Sequence, residues 1–339
     1  MSAQSVGNII GSEELKSLFS INTISKNEVM LARKNIEDIL AGRSNRKILI
    51  IGPCSADFES SLTEYAEFLR EIRSRVQDRI EIIMRFYTGK PRSIGGWKGM
   101  QHAQPGQEAN MNEGLKESRR LAIQLLKLGI PLADEMLHPQ LSQHFDDIFS
   151  YLAVGARSTE NQYHREVTSG LDIPVGMKNP TSGNIAIMTD SIKAAQTPSH
   201  YSIGGYLFNS TGNSYAHGIL RGGSDGPNYS AKNLREYIEK MKGIENPALI
   251  VDCNHANSGK NPFKQIEVIN ELYGNILPSF DAGEINVQNL VKGFMVESYL
   301  FDGRQDWSEN VQKGLSLTDA CIGKEKTEEL IMKLYENIK

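Results

Sequence analysis

Among the 339 residues there are only three cysteines and two tryptophans. Cys54, Cys253 and Cys321 are odd in number and far apart, which excludes the disulfide framework of a small secreted domain and makes free thiols in a reducing, cytoplasmic compartment the expectation. Runs of about 18 apolar residues, the length that spans a bilayer, are missing too. The N-terminal "MSAQSVGNIIGSEEL" lacks the basic start and apolar stretch of a secretion signal, so no membrane partner is expected. Positive charge is not in excess either: the formal net charge is −4, which leaves no electrostatic footprint for nucleic acid. No β-type run is followed by G-x-G-x-x-G or G-x-x-x-x-G-K-[ST], so the two common nucleotide-binding loops lose their usual support.

What is present is an alternation. Apolar, β-type runs occur at 47–52, 80–87, 130–135, 152–157, 173–178, 217–222, 248–253 and 291–298. Between the first two, "ESSLTEYAEFLREIRSRV" places Leu62, Tyr65, Leu69, Ile72 and Val76 on one helical face. Helical patterns also fit 113–128, 186–196, 230–242, 263–274 and 325–338. Eight strand–helix units predict an α/β fold, a (β/α)8 TIM barrel, more readily than a doubly wound sheet. Residues 1–46 form an N-terminal extension in which "SKNEVMLARKNIEDIL" is helical, with Val29, Ala32, Ile36, Ile39 and Leu40 at helical spacing; the barrel domain occupies 47–339. The Gly-, Asn- and aromatic-rich segment 200–217 is expected to be an inserted hairpin or loop before the sixth strand.

Barrel enzymes carry their chemistry at the C-terminal ends of strands. In order, those ends present Cys54, Arg85, Glu135, Arg157, Lys178, Arg221, His255 and Glu297, all ionisable or ligand-type. Arg85, Arg157, Lys178 and Arg221, with Lys90 and Arg92 in "YTGKPRS", form a cationic set in a slightly acidic chain. Guanidinium forks suit phosphate and carboxylate oxygens, so the set implies two anionic ligands, or one bearing both groups. Cys54, His255 and Glu297, joined by Asp319 in "SLTDACIG", make a mixed donor set able to hold one divalent ion, Mn2+, Fe2+, Co2+ or Zn2+. Taken singly each residue has a plainer explanation: a cysteine after a Gly-Pro turn is ordinarily a small buried hydrophobe, and rim arginines often close ion pairs. Convergence on one face is what favours a site.

The segments "IGPCS", "MRFYTGKPRS", "GWKG", "GARSTENQYHRE", "SGLDIPVGMKN", "ILRGG", "PNYSAKN", "HANSGK", "FMVES" and "SLTDACIG" appear in this order. In these the chain resembles the 3-deoxy-D-arabino-heptulosonate 7-phosphate (DAHP) synthases of the bacterial and fungal aromatic-amino-acid-sensitive type. The resemblance implies a metal-dependent (β/α)8 enzyme that condenses phosphoenolpyruvate with erythrose 4-phosphate and water, the first step of the shikimate pathway. It matches Cys54, His255, Glu297 and Asp319 to metal ligands, Arg85, Arg157, Lys178 and Arg221 to phosphoenolpyruvate contacts, and Lys90, Pro91, Arg92 and Ser93 to the motif holding the sugar phosphate. Lys90, Glu135 and Lys178 are the implied proton-transfer or water-positioning groups, and a homodimer or homotetramer is the implied assembly. Departures include Ser182 for a usual Asp, Leu152 for a usual Trp, and His138 where an acidic residue is common. The hairpin is shorter than the family norm, so weak or absent inhibition by aromatic amino acids is expected. Two alternatives are a sister synthase using another aldose phosphate and a catalytically silent regulatory paralogue.

Overall fold

Lys47–Gly52 (β1), Ile80–Arg85 (β2), Leu132–Glu135 (β3), Phe149–Val154 (β4), Val175–Lys178 (β5), His217–Leu220 (β8), Leu249–Asp252 (β9) and Val291–Glu297 (β10) close into a parallel barrel in the order β1-β10-β9-β8-β5-β4-β3-β2. Residues 3–92 and 94–338 are described by the structure, a computed structural model. His200–Ile203 (β6) and Tyr206–Asn209 (β7) form a separate antiparallel hairpin before β8, as the composition suggested. Its turn is Gly204-Gly205, both at positive φ (58° and 85°), the backbone that a two-residue hairpin turn requires.

The helices are Ser12–Leu18 (α1), Thr23–Leu40 (α2), Glu59–Val76 (α3), Met111–Lys127 (α4), Gln162–Ser169 (α5), Ile185–Gln196 (α6), Ala231–Lys240 (α7), Lys264–Glu271 (α8), Ile285–Gln288 (α9) and Lys324–Asn337 (α10). Strand side chains alternate with period two. Ile48, Ile50, Ile83, Tyr151, Ile219, Ile250 and Met295 fill the barrel interior, while Leu49, Ile51, Ile82 and Met84 belong to the layer packed under the helices.

The interior cluster also contains Ile36, Ile39 and Leu40, so the apolar face of α2 packs into the barrel's own core. Arg33 fixes the helix there by donating Nε to the Phe149 carbonyl (3.0 Å) and Nη1 to that of Asp172 (3.3 Å).

Two of the differences from the sequence expectation concern β4 and α5. β4 begins at Phe149 rather than Leu152, because its pairing with β3 starts at Leu132↔Phe149; Arg157 therefore lies in the loop beyond the strand. α5 was not anticipated: it is short and polar, and it starts on Asn161, whose side chain accepts from the Tyr163 and His164 amides.

Candidate active site

At the end of β1 the run turns on Gly52, where a Cβ would lie 2.8 Å from the Arg85 carbonyl oxygen. Only glycine permits that approach, and it sets Cys54 over the end of the barrel, wholly buried. Cys54 Sγ, a Glu297 carboxylate oxygen at the end of β10 and an Asp319 carboxylate oxygen all lie within 4.8 Å of one another. Asp319 N donates to Cys54 Sγ at 3.3 Å, and Lys90 Nζ lies 2.6 Å from the same sulfur. Burial, reinforced by Glu297 and opposed by Lys90, pushes the Cys54 thiol up to about 11. The thiol thus keeps its proton at neutral pH unless a cation replaces it. A sulfur and two carboxylates packed this closely fit a borderline divalent ion.

His255 stands apart from this three-donor cluster. It sits on the turn after β9 at φ 54°, with Nδ1 2.9 Å from Asp252 Oδ2. Arg85 likewise differs from a cavity-lining contact. It is 1 % exposed, donates Nη2 to Glu297 at 3.1 Å, and stacks its guanidinium 3.9 Å from the Tyr87 ring centroid. Its Nη1 is buried without a hydrogen-bond partner.

Above these groups opens a cavity of about 420 Å³ lined by Lys90, Pro91, Arg92, Glu135, Arg157, Lys178, Arg221, His255 and Asp319, among others. Ser93 falls outside the described residues. Lys260, Thr181 and Thr318, which also line it, were not singled out from the sequence; the only signal for Lys260 was its place in "HANSGK". Six cations therefore face two carboxylates, Glu135 and Asp319. Lys178 Nζ is 3.1 Å from Asp252, and burial pulls Arg221 below its ordinary value with Arg157 adding repulsion. An anion bound beside Arg221 would relieve that repulsion, whereas at Lys178 it must share the ammonium with Asp252. Behind Lys90, the buried Asp134 accepts from the Thr88 amide at 2.9 Å and braces the loop. A second space of about 850 Å³, walled by Trp97 and Trp307, shares Arg92, Thr318 and Asp319 with the first.

A parallel barrel with cations gathered over a buried thiol and carboxylates at the C-terminal ends of its strands defines an enzyme for small, multiply charged anions. The profile of the DAHP synthetase I family matches residues 22–332, and the chain belongs to that family. It is 37% identical over 318 residues to the phospho-2-dehydro-3-deoxyheptonate aldolase of Corynebacterium glutamicum, covering 89% of this chain and 84% of that one. Identity to the Phe-sensitive enzyme of Escherichia coli is 39% over 322 residues, covering 92% and 89%. The solved phospho-2-dehydro-3-deoxyheptonate aldolase of Francisella tularensis SCHU S4 superposes with a TM-score of 0.93 at 34% identity, over 99% of this chain and 98% of that one.

Proposed function

We propose that the chain condenses phosphoenolpyruvate with erythrose 4-phosphate and water, releasing phosphate and forming DAHP. The observation that carries this reading is the six-cation cavity above the Cys54, Glu297 and Asp319 cluster. Arg157, Lys178 and Arg221, with the free Nη1 of Arg85, bind the phosphate and carboxylate of phosphoenolpyruvate. Lys90, Pro91 and Arg92, continued by Ser93, hold the sugar phosphate. Cys54, Glu297, Asp319 and His255 would hold the divalent ion, which when bound supplies Lewis-acid polarisation of the aldehyde. Lys90 Nζ donates to the aldehyde oxygen as C3 of phosphoenolpyruvate attacks. Glu135 and Lys178 position the water that adds at C2, and C–O cleavage then expels phosphate.

A longer aldose phosphate is the competing reading, favoured by the 850 Å³ space that shares Arg92. Phosphate release measured with phosphoenolpyruvate against a panel of aldose phosphates separates the two. Preference for erythrose 4-phosphate is expected; no release with any aldose phosphate and any added divalent metal would leave the silent-paralogue reading standing. We further infer a homodimer or homotetramer in the cytoplasm, supported by exposed Tyr206, Leu207, Ile24, Met30 and Leu31 and by three buried free thiols. Light scattering checks the assembly.

A further inference from the structure

Asp252 ends β9 and is 1 % exposed. Its Oδ2 faces two groups at once: Lys178 Nζ at 3.1 Å, from the end of β5, and His255 Nδ1 at 2.9 Å, from the loop beyond β9. β5 and β9 are not neighbours, since β8 runs between them. Oδ1 is engaged separately, accepting from the Asn254 amide at 3.1 Å. Neither group aims a donor hydrogen squarely at Oδ2, so the attraction is chiefly electrostatic, and in so dry a place it is weakly screened. Among the described residues, Asp252 is the only carboxylate within 4.0 Å of Lys178 Nζ. The His255 backbone is held at φ 54°, a sparsely populated region for a non-glycine residue, which supports a ring fixed for a purpose.

We propose that Asp252 is a positioning residue that couples Lys178 to His255, so that phosphoenolpyruvate and the divalent ion bind with positive cooperativity. This rests on the function proposed above. One negative charge is divided between an ammonium and an imidazole while the cavity is empty. An anion arriving at Lys178 satisfies the ammonium and releases the carboxylate to act on His255 Nδ1–H alone. A fuller negative charge at Nδ1–H raises the donor strength of Nε2 toward a metal. By reciprocity, a cation on the ring draws Asp252 toward His255 and leaves Lys178 freer for the anion.

The test uses metal-free full-length protein without any aldose, so no turnover intervenes. Co2+ binding is followed by the thiolate-to-cobalt absorption band, with and without saturating phosphoenolpyruvate. Phosphoenolpyruvate binding is followed by tryptophan fluorescence, with and without Co2+, at buffered free metal. In the parent, each ligand is expected to tighten the other by about 5- to 20-fold, within the usual range of site–site coupling. Asp252→Asn keeps the shape and removes the charge. Its Co2+ affinity is expected to fall about 10- to 100-fold, as for loss of other groups that orient a metal ligand, and to stop responding to phosphoenolpyruvate. Lys178→Met carries the opposite expectation, tighter Co2+ binding in the free protein, and it serves if Asp252→Asn does not fold. A merely structural role would lower the melting temperature and leave the coupling intact. Coupling preserved in Asp252→Asn, or weaker Co2+ binding in Lys178→Met, overturns the proposal. A parent that binds both ligands independently also overturns it while sparing the function reading, whereas a parent that binds neither sinks both.

Discussion

Replacing Arg85 by Met tests whether the buried pair under the site is held for stability as well as for binding. Arg85 and Glu297 are each 1 % exposed and 3.1 Å apart. Removing one partner of a buried ion pair costs about 3–5 kcal/mol, because a charge is stranded away from water. The variant also loses the stacking of Arg85 on Tyr87, a contact of roughly 1–2 kcal/mol when desolvated. Against this, Glu297 keeps its bond from Asn254 Nδ2 (2.5 Å), and Met restores apolar volume, so a net loss of about 3 kcal/mol is expected. That is a large part of the roughly 5–15 kcal/mol by which folded proteins are stable. Urea unfolding of the metal-free protein reads the loss directly. The double variant Arg85→Met/Glu297→Gln strands no charge and should recover much of it. A loss below about 1 kcal/mol, or a double variant no more stable than the single one, would refute the reasoning.

Burial pushes the Asp57 carboxyl up to about 7, against a lowering bond from the Tyr299 hydroxyl. Between the unfolded value near about 4 and that point, the folded protein keeps a proton that the unfolded chain releases, so stability falls as pH rises through the window. Asp57→Asn should flatten the fall; urea midpoints offset from the parent by the same amount at every pH would contradict it. Arg221→Met removes one charge-assisted contact and should raise KM for phosphoenolpyruvate about 10- to 100-fold, whereas an unchanged KM would remove Arg221 from the anion site. Cys54→Ser should abolish tight metal binding in equilibrium dialysis. Cys54 and Cys321 are both free and buried, and Cys321→Ser should slow inactivation in air; loss as fast as the parent's counts against pairing of those two thiols. Steady-state assays with each aromatic amino acid should show little inhibition, and strong inhibition by any of them overturns that expectation.

The barrel was legible because its strands are apolar runs whose last residues change abruptly to ligand-type side chains. Arg85, Glu135, Lys178 and Glu297 each end their strand. What escaped depends on partners that only the folded backbone brings together. Asp252 lies inside the run "ALIVDC" and looks like a strand residue until Lys178 and His255 are folded against it. Arg33 sits on the apolar face of α2, and only the carbonyls of the loop around β4 and of Asp172 explain a guanidinium there. β4 was placed three residues late because its start is set by pairing with β3, not by local preference. Cys54 and Glu297 followed from the strand-end rule and Asp319 only from its motif, while the separate stance of His255 follows from a loop conformation that no spacing encodes.

Closure of the barrel joins β1 to β10, and Lys47 Nζ reaches the Val291 carbonyl across 244 positions of sequence. During synthesis, β1 must wait with one edge unpaired until almost the whole chain has emerged, and an apolar edge held open so long invites association with other chains. Cys54 follows β1 and Glu297 ends β10, so the two donors stand on opposite sides of this last-formed seam. A divalent ion bound between them would act as a rivet on the closing joint, slowing its reopening as well as serving the chemistry above it. Resistance to proteolysis at the seam should therefore report metal occupancy even when no substrate is present.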